Sequence, residues 1–177
     1  LVIANHPTLI DVVVLIGLME QANCVVKQAL WSNPFTKGPV QSAGYILNAG
    51  SEQFIQDCVH KLQQDHAASL LIFPEGTRTA KGEQLNDFQR GAANIALRAG
   101  VPIRPVLISC TPSTLTKNEK WYHIPEQPFH IHVKVLDAIR VEDVLDDVTV
   151  NPKNVRQLNQ QLQWFFNQEL SVNEQSC

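Results

Sequence analysis

Asn5-His6-Pro7-Thr8-Leu9-Ile10-Asp11 joins two apolar segments of different character, and its reading decides the fold. Before it runs Leu1-Val2-Ile3-Ala4, short and β-prone. After it runs Val12-Val13-Val14-Leu15-Ile16-Gly17-Leu18-Met19, too evenly apolar for a surface element. A buried strand, a tight turn and a buried helix is the simplest arrangement. Pro7 keeps His6 out of the α region, so the chain is extended there and turns after it. Thr8 is then a natural N-cap, with Asp11 in the first helical turn. In an unbroken helix His6 and Asp11 would point about 140° apart. The break at Pro7 lets the carboxylate fold back to the imidazole, holding one ring nitrogen and leaving the other as a general base. Thr8-x-x-Asp11 is equally a capping box, with an acid favoured at the helix N-terminus, and both readings stand on these residues.

Working outward, strands are predicted over 23–27, 44–47, 67–73, 103–109 and 129–136. Helices are predicted from Ser51 to about Gln64, from Arg90 to Ala99 with Gly100 as the C′ residue, and from Asn151-Pro152 to about Leu170. In the strand at 129–136, Phe129, Ile131, Val133 and Val135 share one face. Strands alternating with helices predict an α/β fold: a single domain over residues 1–177 with a largely parallel central sheet flanked by helices.

Composition narrows the class. The chain has 177 residues, 44% of them hydrophobic, enough for one substantial core. Its 14 Lys and Arg against 17 Asp and Glu argue against a nucleic-acid module, which would carry a basic face. Cys24, Cys58, Cys110 and Cys177 form no close pair and read as reduced core thiols rather than a disulfide framework or a zinc site. No apolar run reaches a membrane span. The chain opens on Leu1 inside a strand-like segment, so we expect a fragment whose upstream part is not seen. His130-x-His132 lacks a third ligand at a useful spacing, so no metal is expected. Ser69 and Ser109 sit in no nucleophile elbow, and there is no dinucleotide or P-loop fingerprint. Trp31, Phe35, Trp121 and Tyr122 lie in breaker-rich loops, as buried anchors or as membrane-interface contacts. The last helix, with Trp164 beside Phe165-Phe166, is expected to pack on the sheet.

The loop after the fourth strand reads Phe73-Pro74-Glu75-Gly76-Thr77-Arg78-Thr79. Open α/β sheets place ligands at the carboxyl ends of their strands. Pro74 ends the strand, Gly76 permits a tight turn, and Arg78 offers a planar fork suited to phosphate, with Glu75 placed to orient it.

Together, Asn-His-x4-Asp and Phe-Pro-Glu-Gly-Thr-Arg resemble the glycerolipid acyltransferase family, in particular its lysophosphatidic acid acyltransferase-like bacterial members. Phe88-x-Arg90-Gly91-Ala92 is similar to that family's Phe-x-Lys-Gly-Ala, and Val101-Pro102-Ile103-x-Pro105-Val106 to its proline-marked strand. The resemblance covers roughly residues 1 to 110 and implies a glycerol-3-phosphate acyltransferase-like fold. It implies acyl transfer from acyl-CoA or acyl carrier protein, as co-substrate and without a further cofactor, to the hydroxyl of a lyso-lipid. By that resemblance His6 is the general base, oriented by Asp11. Glu75, Gly76, Thr77, Arg78 and Arg90 bind the acceptor, Arg78 at its phosphate, and loop amides are candidates for holding the oxyanion. A membrane surface is the implied partner, at the cytoplasmic face of the inner membrane, reached peripherally or through an upstream anchor. Gly50 stands where the family has a phosphate-binding Arg, which leaves the acceptor open to lyso-lipids of another kind. The competing readings are a non-catalytic lipid- or carrier-binding domain, and a thioesterase that uses the same pair on water.

Overall fold

The computed structural model describes residues 1–27, 32, 38, 45–48, 52–64, 69–117, 119, 122 and 125–174. Six strands make one sheet: β1 (Val2–Ala4), β2 (Ala22–Lys27), β3 (Ile46–Asn48), β4 (Ser69–Ile72), β5 (Arg104–Thr111) and β6 (His130–Val135). Their spatial order is β3-β2-β4-β1-β5-β6. Every pairing is parallel except β5 with β6, so the largely parallel sheet read from the sequence is what forms.

This order positions the site. β1 lies centrally, with Ile3 beside Ile72 of β4 on one side and beside Pro105 of β5 on the other. Three parallel neighbours release their following loops at the same edge of the sheet. Segments some 70 and 105 residues beyond His6 therefore converge on it.

The core follows the period-2 alternation of the strands. Ile3, Leu70, Ile72 and Leu107 point to one side, where they pack with α2 (Glu52–Gln64), α3 (Gly91–Ala99) and α4 (Pro152–Glu174). Ala4, Leu71, Val106 and Ile108 point to the other side, toward α1 (Asp11–Leu18) and its Leu15. Chain signals work as expected at two ends. Gly100 closes α3 in the left-handed region at φ 64°. Asn151 accepts from the Asn154 amide at 2.8 Å ahead of Pro152, the first residue of α4. Phe166 is fully buried, whereas its neighbour Trp164 is exposed.

Two expectations fail here. The segment after Asp11 forms a helix, but not a buried one: only Asp11 and Leu15 are buried in it. Val13 and Leu18 are 70% and 69% exposed, and Leu9 in the preceding turn is 42% exposed. A segment apolar at every position carries no periodicity to mark its outward face, so composition alone reads it as core. On β6, Ile131 and Val133 are half-buried against the α1-side cluster, but Val135 is exposed at the end of this edge strand. Trp31, Phe35 and Trp121 of the aromatic loops lie outside the described residues, as do Gly44, Gly50 and Cys177. Tyr122 is exposed. Among the described residues no helix is long and apolar enough to cross a membrane.

Cys24 and Cys58 are buried core thiols. Desolvation pushes the Cys24 thiol up to about 11 and the Cys58 thiol up to about 12. Both groups favour the protonated form in the folded chain, so stability holds below pH 9. It falls as pH rises from 9 toward 12, where only the unfolded chain gives up those protons. Equilibrium urea unfolding at a series of alkaline pH values should show that decline, with Cys24→Ala,Cys58→Ala flattening it. Iodoacetamide at pH 8 should spare both thiols unless urea is present.

Candidate active site

His6 leaves β1 just where the backbone ladder to β5 ends. Asn5 continues that ladder with its side chain, donating to the Ile108 carbonyl at 2.9 Å and accepting the Ile108 amide at 2.7 Å. Both backbone groups of Ile108 are thus satisfied although β1 has turned away.

Beyond Pro7 the chain folds back as predicted. His6 Nδ1 lies 3.0 Å from Asp11 Oδ2. Asp11 is fully buried and the His6 side chain is 16% exposed. The Thr8 amide donates to the same Oδ2 at 2.7 Å, and the Thr8 hydroxyl donates to Oδ1 at 2.6 Å. The capping geometry and the His–Asp pair therefore coexist. One carboxylate ties down the turn and orients the imidazole, so the two readings were never exclusive. The regular helix begins only at Asp11, and Thr8 caps the turn ahead of it, receiving the Ile10 amide at 3.3 Å. The other face of the ring stacks on Phe73, with centroids 4.3 Å apart and planes 29° apart. With Nδ1 directed at Asp11, Nε2 is the ring nitrogen free to accept a proton.

The loop after β4 meets this turn along its backbone. Glu75, only 4% exposed, accepts the His6 amide at 2.8 Å on one oxygen and the Asn86 amide at 2.8 Å on the other. The Thr79 hydroxyl bridges both oxygens at 3.1 and 2.9 Å, and the Thr79 amide donates to the His6 carbonyl at 2.7 Å. Both backbone groups of His6 are thereby held by this loop. The expected pairing of Glu75 with Arg78 does not form: the carboxylate is consumed by neutral donors on the His6 side. Its buried charge is instead met by short hydrogen bonds.

Arg78 turns the other way, donating from Nη1 to the carbonyls of Leu115 and Thr116, each at 2.9 Å. The Leu115 carbonyl also receives the Leu9 amide at 3.1 Å, and Leu115 itself adopts φ 54°. The loop after β5 is thus pinned to both signature loops. Gly76 adopts φ 67° at the exposed tip of its turn, next to half-buried Thr77. Arg90 is exposed at the N-cap of α3, where the Gln89 amide binds the Pro74 carbonyl at 2.7 Å. Its guanidinium has no hydrogen bond or ion pair among the described residues. His130 and His132 lie exposed on β6, away from this cluster, and no group of three metal-ligating side chains occurs among the described residues.

Sequence reading missed Thr79, Asn86, Phe73 and the Leu115–Thr116 carbonyls as parts of the site. Thr79 stands four residues after Glu75 in a loop, where no periodicity marks it. Backbone carbonyls leave no trace in residue type at all.

A His–Asp pair thus sits at the strand ends of a parallel sheet, with an arginine fork anchored in the neighbouring loop. A family model described as Acyltransferase matches residues 1–109, and the chain belongs to that family. It is 32% identical over 114 residues to the 1-acyl-sn-glycerol-3-phosphate acyltransferase of Helicobacter pylori, covering 61% of this chain and 47% of that one. It is 30% identical over 173 residues to the alpha 1-acyl-sn-glycerol-3-phosphate acyltransferase of Mus musculus, covering 88% and 55%. The crystal structure of the 1-acyl-sn-glycerophosphate (LPA) acyltransferase PlsC from Thermotoga maritima matches with a TM-score of 0.68 at 18% identity, over 98% of this chain and 65% of that one. The chain therefore has the PlsC fold, and it spans about half the length of these curated relatives.

Proposed function

We propose that this chain transfers a fatty acyl group from acyl-CoA or acyl carrier protein to the hydroxyl of a lysophospholipid-like acceptor. The observation that carries the reading is the 3.0 Å contact of His6 Nδ1 with a fully buried Asp11, which leaves Nε2 as the base. The acceptor O–H gives its proton to Nε2 as its oxygen bonds to the thioester carbonyl carbon. The tetrahedral adduct then breaks its C–S bond, and the departing thiolate takes the proton back from the imidazolium. Asp11 balances the imidazolium charge meanwhile, and no covalent enzyme intermediate is required.

Gly76, Thr77, Arg78 and Arg90 frame the acceptor side, with the guanidiniums toward an anionic headgroup. The named substrate of the relatives, 1-acyl-sn-glycerol 3-phosphate, is the acceptor class we carry over. Glu75, whose oxygens are engaged by His6, Thr79 and Asn86, holds the turn. We place the protein on the cytoplasmic face of the inner membrane. Exposed Leu9, Val13 and Leu18 beside the catalytic turn support contact with a lipid surface.

A radiolabelled acyl-thioester assay over a panel of lyso-lipids tests the reading. Label should enter one lipid class. Label recovered only as free acid, in the presence of every acceptor, would replace transfer by thioester hydrolysis.

A further inference from the structure

Arg78 spends only part of its fork inside the protein. Both Nη1 protons are committed to the Leu115 and Thr116 carbonyls, each at 2.9 Å. Nε and Nη2 have no partner among the described residues. Those two nitrogens form the side edge of the guanidinium, the edge that grips two oxygens of one anion at once. An arginine held by one corner keeps its plane, so the direction of the open edge depends on where the two carbonyls sit.

Part of their position is set from outside both signature loops. The Thr116 amide donates to Glu119 Oε2 at 3.0 Å, and Glu119 Oε1 lies 3.4 Å from Lys81 Nζ. The Thr116 amide holds the Glu119 carboxyl below its usual range, so it remains an acceptor at neutral pH. On the other flank the Leu115 carbonyl is fastened by the Leu9 amide, three residues from His6. The chain from Glu119 through Thr116 to Arg78 is continuous in hydrogen bonds.

We propose that Glu119 is a positioning residue for acceptor recognition: it fixes the Leu115–Thr116 carbonyl pair, which presents the Nε/Nη2 edge of Arg78 to the anionic headgroup of the acceptor. The inference rests on the acyl-transfer reading above and adds a residue that neither signature loop contains. The Glu119 side chain bonds the Thr116 amide and Lys81 and makes no bond to His6, so the expected effect is on acceptor binding before chemistry.

The test measures equilibrium binding of lysophosphatidate without acyl donor, and steady-state kinetics with it, for Glu119→Ala, Glu119→Gln, Arg78→Lys and the Glu119→Ala,Arg78→Lys pair. Glu119→Ala should raise Kd and acceptor KM roughly three- to tenfold while kcat changes less than twofold, as befits one hydrogen bond to a charged group acting through a second residue. Glu119→Gln keeps an oxygen for the Thr116 amide and should stay near wild type. In the Arg78→Lys background, where the planar edge is gone, Glu119→Ala should add nothing. Unchanged binding in Glu119→Ala, or an equal loss with and without Arg78, overturns the positioning role while the acceptor reading survives. A wild-type chain that does not bind lysophosphatidate overturns the phosphate-bearing acceptor, and this inference with it.

Discussion

His6→Ala is expected to lower kcat for acyl transfer by about 10²–10⁴-fold while leaving the fold in place. The side chain removed supplies Nε2, the ring nitrogen not engaged by Asp11 and the base of the proposed mechanism. What remains is still internally satisfied. Asp11 keeps the Thr8 amide on Oδ2 and the Thr8 hydroxyl on Oδ1, so no buried acceptor is orphaned. The lost stack on Phe73 costs on the order of 1 kcal/mol. For a chain of this size that moves the melting temperature by about 2–4 °C. Acceptor KM should change little, because the Arg78 fork is untouched. A His6→Ala variant that retains more than a tenth of wild-type kcat would remove the general base from the mechanism. Asp11→Ala makes a useful contrast: it strands both Thr8 donors inside the protein and should lose stability together with activity.

Glu75→Ala is expected to be the most destabilising single change near the site. Three donors lose their acceptor inside the protein: the His6 amide, the Thr79 hydroxyl and the Asn86 amide. Unsatisfied buried donors cost about 1–3 kcal/mol each, so a total of about 3–5 kcal/mol follows after partial relaxation. That corresponds to a melting temperature lower by roughly 10 °C. Activity should fall too, since the His6 backbone is released at its amide. Glu75→Gln retains one acceptor oxygen and should lie between the two. The same pair of variants separates this holding role from direct contact with the acceptor. A contact residue would raise acceptor KM and leave thermal unfolding where it was; a holding residue moves the unfolding curve first. Thermal melts read beside KM for both variants decide it.

Much of this was legible because the relevant signals are local. Pro7 excludes helix at His6, Gly100 takes the left-handed cap, and alternation in 129–136 marks a strand whatever lies beside it. The partnership of His6 with the loop at 75–79 was legible only through motif resemblance, since adjacency of β1 and β4 is a property of strand order. Two kinds of information were missing in principle. The outward face of α1 cannot be read from Val12-Val13-Val14-Leu15-Ile16, where every face is equally apolar. The partner of Glu75 could not be read either: Arg78, three residues on, is the charge-matched choice in one dimension, whereas the folded chain offers it backbone amides from 69 and 11 residues away.

The helix that begins at Asp11 links two environments. Its first residue contacts His6 Nδ1, and Val13 and Leu18 face outward along a rod only about 12 Å long. Under the lipid contact proposed above, an acceptor lying in a monolayer against that rod would not be extracted into water before it reacts. Rate should then track how densely the acceptor populates the surface, not how much of it the tube contains. Diluting the lyso-lipid with inert amphiphile at constant total amount should slow turnover as the surface fraction falls.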